Sequence, residues 1–187
     1  MKERLKNKKQ FSYQAKILLW LFTAFDFLPK PFEHKTAYFK RQFNGKISYY
    51  AYFSALRRLE EKGLIKIYKQ NGHQFLQLTK AGSLESLFLK AQIAKKTAWD
   101  GKWRMLVFDI PEGAREYRSK IRFLLKVNGF KQVQKSVYIN PYPLDGSAVS
   151  YLHQSGLDKY IRLFRIDETD SNSEFKKLFG LSNNWSK

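Results

Sequence analysis

The chain has 187 residues, 43% of them hydrophobic and 17% aromatic, with a formal charge of +19 and no cysteine. That composition supplies a packed core for one domain or two small ones, and it excludes a mainly disordered chain, a disulfide scaffold and cysteine-based metal sites. So large a positive excess strains a compact fold unless a polyanion offsets it, which points to nucleic acid ahead of an anionic membrane.

The basic start from Met1 to Lys9 and the apolar run Ile17 to Phe25 superficially resemble a secretory signal. Asp26 interrupts the run, no small-x-small cleavage site follows, and the apolar stretch is too short to span a bilayer. A cytoplasmic protein with no membrane partner is the expectation. Ser12 caps a predicted helix to about Leu28, with Ala15, Leu18, Leu19, Phe22 and Phe25 on its apolar face. Pro29 and Pro31 stop it, and a second helix is expected from about Phe32 to Phe43, before the break at Asn44-Gly45.

A third helix runs from Ser48 to about Lys62. Tyr52, Ala55, Leu56 and Leu59 form its buried stripe, while Lys46, Tyr50, Phe53, Ser54, Arg57 and Arg58 face the other way. Gly63 caps its end. Leu64 to Lys69 alternates as a half-buried strand, Asn71-Gly72 is a hairpin turn, and His73 to Leu78 is the return strand. Thr79 then caps a helix that reaches about Lys95.

Three helices, a hairpin and a further helix are the order of a winged helix-turn-helix. Residues 1–98 carry 20 Lys and Arg against 6 Asp and Glu, whereas residues 99–187 carry 15 against 10. Charge so placed favours contact between the first half and double-stranded DNA. The third helix would lie in the major groove, and Lys46, Ser48, Tyr49, Tyr50, Ser54, Arg57 and Arg58 are its candidate DNA-binding residues, with Tyr50, Ser54 and Arg57 reading bases. Lys66, Lys69 and His73 on the wing, and the basic arm at residues 1–11, would meet phosphates. The competing reading pairs Arg57 and Arg58 with Glu60 and Glu61 and packs the aromatics against protein.

The second half opens on Trp99-Asp-Gly-Lys-Trp-Arg. Asp100-Gly101 is a turn, and Met105 to Phe108 reads as a strand covered on both faces. Trp99 and Trp103 are expected to pack the junction between the halves. Asp109 leaves the strand's end, where it either carries chemistry or starts a helix with Glu112 as a capping box. A helix follows from about Ala114 to Asn128, with Ile121, Leu124, Leu125 and Val127 on its apolar side. Phe130–Gln134 and Ser136–Ile139 read as strands, Ser147 to Gln154 as a weak helix, and Tyr160 to Ile166 as the last strand. That order is the ferredoxin-like βαββαβ pattern. The whole is thus an α+β chain: basic arm 1–11, winged helix 12–98, ferredoxin-like domain 99–168 and a tail 169–187. Asp167 to Ser173 reads as mobile, and Phe175, Leu178, Phe179, Leu181 and Trp185 are apolar enough to dock a short helix, within the chain or across a dimer.

Two resemblances rest on these residues. Leu56-Arg-Arg-Leu-Glu-Glu-Lys-Gly-Leu-Ile65 with Leu78-Thr-Lys-Ala-Gly82 resembles the recognition helix, wing and post-wing sequence of bacterial winged-helix regulators. Leu106-Val-Phe-Asp-Ile-Pro111, with Arg118 and Gly129 to Tyr138, is similar to the CRISPR-associated protein 2 family of ferredoxin-like dimers. That likeness implies a metal-holding role, with Mg as the ion, for the aspartate at the position of Asp109. The longer frame, residues 12–166, resembles the PaaX family of phenylacetate-catabolism repressors. It implies a DNA-binding transcriptional regulator, a repressor acting as a homodimer through the ferredoxin-like domain, with no cofactor. The chain stops soon after the last strand, where repressors of that family continue into a region associated with effector response, so an acyl-CoA ligand is not carried over from the resemblance and the small-molecule effector stays open. The alternative is a metal-dependent endonuclease or CRISPR-adaptation component using Asp109 as catalytic residue and metal ligand. A protein-interaction adaptor is the third reading.

Overall fold

Ser12 starts the first helix as its sequence predicts: its hydroxyl accepts the Ala15 amide at 3.2 Å, and α1 runs over Tyr13–Phe25. The structure is a computed structural model describing residues 11–25, 32–33, 48–93 and 98–181. The chain divides into two units, Met1–Ile93 and Ala94–Lys187.

In the first unit α1 buries Ala15, Ile17, Leu18 and Leu21. Ile17 and Leu21 lie outside the predicted face, and Leu19 and Phe22 are only partly buried. The helix is apolar almost all round, so its periodicity does not select the side that faces the core. The helix expected from Phe32 begins differently. Phe32–Glu33 is a short strand, β1, set antiparallel to Leu76 and Phe75, and the rest of that predicted helix lies outside the described residues. Pro29 and Pro31 bias the chain into extended backbone, and the open edge of the hairpin offers amides and carbonyls to pair with.

Helix α2, Tyr49–Glu61, is the predicted third helix, and its buried residues are Tyr52, Ala55, Leu56 and Leu59 as the spacing requires. Ser48 caps its start, accepting the Ala51 amide at 3.2 Å. Its end closes on Gly63 at φ +66°, with the Gly63 amide on the Glu60 carbonyl and the Leu64 amide on the Leu59 carbonyl. This paired closure needs a left-handed residue, which glycine supplies without strain. Strands β2, Ile65–Gln70, and β3, His73–Leu78, pair from Ile65 opposite Leu78 to Gln70 opposite His73. Asn71 and Gly72 both have positive φ, the geometry of a two-residue turn whose twist matches its strands. The sheet order is β1-β3-β2. Helix α3, Lys80–Ala91, ends earlier than the predicted Lys95, with Gln92 as its cap. Its Leu87, Leu89 and Ala91 are buried, and Leu89 joins the core of α1 and α2.

The second unit holds β4 Trp103–Phe108, α4 Arg115–Val127, β5 Lys131–Gln134, β6 Val137–Asn140, α5 Gly146–Gln154, β7 Ile161–Ile166 and α6 Asn172–Phe179. Its sheet is antiparallel throughout, in the order β5-β6-β4-β7. That order interlocks the two βαβ halves and is the ferredoxin-like arrangement the sequence predicts. Met105 and Val107 are only partly buried, so β4 is not covered evenly on both faces as predicted. Leu106 and Phe108 are buried on one face, where Phe108 stacks on Tyr138 at 5.8 Å. On the other face Trp103 packs with Ile139 and Phe175. Val127 is exposed, not part of the α4 core, because it is the helix's last residue; Ile121, Leu124 and Leu125 carry the burial.

The segment read as a tail contains α6. Phe175 and Phe179 meet the Trp103 ring at 5.5 and 5.8 Å, and the Trp103 indole donates to Asn172 Oδ1 at 3.0 Å. Lys131 donates to the Leu178 carbonyl and lies over the Phe179 ring. The described contacts of Trp99 and Trp103 are thus within the second unit, against its own last helix.

Candidate nucleic-acid interface

α2 owes its outward face to its inward one. With Tyr52, Ala55, Leu56 and Leu59 turned to the core, the 3.6-residue period turns Tyr49, Tyr50, Phe53 and Arg57 outward. Tyr50 is 85% exposed, Tyr49 51% and Phe53 44%. Ser54 is half-buried between them, and Tyr50, Ser54 and Arg57 share one stripe spanning about 10 Å of helix. Arg58 is also exposed. The acidic residues of this helix are confined to its last two positions. Glu61 pairs with Arg57 at 2.8 Å, and Glu60 accepts the Ile67 amide at 3.3 Å. The pairing foreseen for Arg57 is therefore made, but at an exposed site where such a pair is weak and exchangeable. Ser48 is engaged as the helix cap. Lys46 lies outside the described residues.

The hairpin places the wing candidates on two faces. Lys66 and His73 fall on the same side as Tyr68 and Phe75, whose rings stack at 5.6 Å, while Lys69 falls on the opposite side by alternation. All three are exposed.

What holds α2 and the hairpin in register is a clamp whose residues the sequence displays without announcing their role. The Thr79 hydroxyl donates toward the carbonyls of Gly63 at 2.7 Å and Leu64 at 3.0 Å, and it accepts the Gly82 amide at 3.0 Å. The first turn of α3 is thereby held against the Gly63-Leu64 link between α2 and β2. A Cβ at Gly82 would lie 1.9 Å from the Leu64 oxygen, so only glycine fits. The sequence marks Thr79 as a helix cap, but not the close approach of two backbones that Gly82 permits.

Asp109 sits in the second unit, exposed, just beyond β4, with its amide donating to the Tyr160 carbonyl at 3.0 Å. It does not cap a helix: a short 3-10 turn at Glu112–Ala114 intervenes, capped by Pro111, and α4 starts without a side-chain cap. Arg118 reaches back from α4 to the Ile110 carbonyl and fixes this corner. Among the described residues no three His, Asp or Glu side chains gather as metal ligands.

The Trp99–Arg104 motif resolves into local structure. The Trp99 indole donates to the Lys102 carbonyl at 3.0 Å, Asp100 accepts the Lys102 amide at 3.1 Å, and Gly101 takes φ +79°. The Arg104 guanidinium holds the Asp100 carboxyl below its usual range, and Lys102, 2.7 Å away, does the same for Asp167. The motif thus ties the start of β4 to the end of β7.

Residues 96–178 match the family described as the PaaX protein central Cas2-like domain. No curated protein matches the chain. Among the described residues no helix is long and apolar enough to cross a membrane.

Proposed function

We propose that this chain, whose residues 96–178 match the PaaX protein central Cas2-like domain, is a DNA-binding transcriptional regulator, a repressor that acts as a homodimer. The N-terminal unit is its winged helix-turn-helix. The element order α1, β1, α2, hairpin, α3 and the three-stranded sheet support that assignment. The observation that carries it is the outward face of α2. It is aromatic and basic, it keeps its acids at the far end, and it stands on the half of the chain with 20 Lys and Arg against 6 Asp and Glu. Such a face offers side chains to base edges and a positive field to phosphates.

The Cas2-like domain supplies the dimer. β7 is an edge strand with Leu163 and Phe164 exposed on its opposite faces, an apolar edge that a second copy would cover. Two winged helices so joined read two half-sites. Asp109 stands at a strand corner in this function and takes no catalytic part.

The test starts from a random duplex pool, from which the full chain selects a binding site. Tyr50→Ala combined with Arg57→Ala should weaken that complex at least tenfold at unchanged melting temperature. Unchanged affinity would remove α2 from the interface, and failure to enrich any duplex would favour a protein-interaction adaptor.

A further inference from the structure

We propose that α2 recognises thymine methyl groups in the major groove through Tyr50 and Phe53; this deepens the DNA-binding reading above and rests on it. Tyr50 and Phe53 are three residues apart, on adjacent outward positions of α2, and both rings are exposed. Large exposed rings placed side by side are an unfavourable use of surface unless something apolar covers them. Among the groups that base pairs present in the major groove, the apolar one is the C5-methyl of thymine. An occupant of duplex DNA also fits the charge, because α2 carries no acid before Glu60 and its unit is strongly basic. The spacing is compatible as well. Tyr50 and Phe53 are separated by about 4.5 Å along the helix, near enough for both rings to reach the same or neighbouring base pairs. Arg57 lies one turn beyond Phe53, where its fork suits the O6 and N7 of guanine. The sequence this face selects is therefore a thymine-containing step followed within about two base pairs by guanine.

The experiment uses the full chain and the duplex it enriches from a random pool. Each thymine of that duplex is replaced in turn by deoxyuridine, which lacks only the methyl group. Wild-type affinity should fall about fourfold at one or two positions, the effect of withdrawing ~0.8 kcal/mol of buried methyl. Tyr50→Ala and Phe53→Ala should each bind the thymine and uracil forms equally at one of those positions. Because Phe53 also meets the Tyr52 ring edge-on at 5.5 Å, melting temperatures of both variants are measured alongside, and the more exposed Tyr50 gives the cleaner comparison. A selected duplex bound with steep salt dependence but indifferent to uracil at every position would overturn this inference and leave the DNA-binding function standing. Uracil sensitivity persisting in both variants would overturn it too. Enrichment of no duplex would remove the function and the inference together.

Discussion

A methyl group at Gly82 would collide with a backbone carbonyl, not with the movable end of a side chain, so the first turn of α3 must shift away from Gly63 and Leu64. Gly82→Ala should destabilise the chain by about 3 kcal/mol or more, lowering the melting temperature by more than about 10 °C in calorimetry. A fall under about 2 °C would show that the contact yields. Trp103 is the corresponding residue of the second unit, fully buried among Ile139 and Phe175 and hydrogen-bonded to Asn172. Trp103→Ala should cost about 3–5 kcal/mol and release α6, read as faster amide exchange over residues 172–179; exchange unchanged there would contradict the packing. Asp109→Ala removes an exposed carboxylate of the second unit. It should change duplex affinity by less than about twofold, since exposed single charges contribute little. Duplex or RNA cleavage with Mg²⁺ that this substitution abolishes would contradict the regulator reading.

At the scale of elements, legibility followed burial and punctuation. α2 and the hairpin were readable because their apolar residues repeat cleanly and Ser48, Gly63 and Asn71-Gly72 mark every boundary. α1 was readable as a helix but not in its orientation, because an almost wholly apolar helix has no polar side to turn outward. β1 was not readable: two residues carry no period, and their pairing depends on a strand over forty positions away. The outward face of α2 was legible as a set, whereas the clamp of Thr79 and Gly82 depends on how closely two backbones approach. The Trp99–Arg104 motif stood out in the sequence, yet its role in binding β4 to β7 and α6 needed three-dimensional neighbours. This tie has a pH signature. Asp100 and Asp167 titrate below their ordinary range in the folded chain, so their pairs stabilise it fully above the unfolded carboxylate value and are lost as the pH falls through the folded one. The Trp103 indole N–H resonance should therefore stay constant from neutrality to about pH 4 and move only below it. Movement between about pH 5 and 7 would assign the change to histidine instead.

For the whole molecule, charge and architecture divide the labour. The N-terminal unit carries most of the positive excess and the aromatic-basic helix, and the Cas2-like domain carries the apolar edge strand. Phe164→Glu on that edge should convert a dimer to monomer in sedimentation and weaken binding to a two-half-site duplex far more than to a single half-site. The central claim, that the chain is built to bind duplex DNA, is tested most directly by fluorescence anisotropy of a labelled duplex with the full chain from about 50 to 300 mM salt. About five phosphate contacts predict a slope of about −4 or steeper when log affinity is plotted against log salt. Affinity that scarcely changes over that range, or no binding at its lower end, would contradict it.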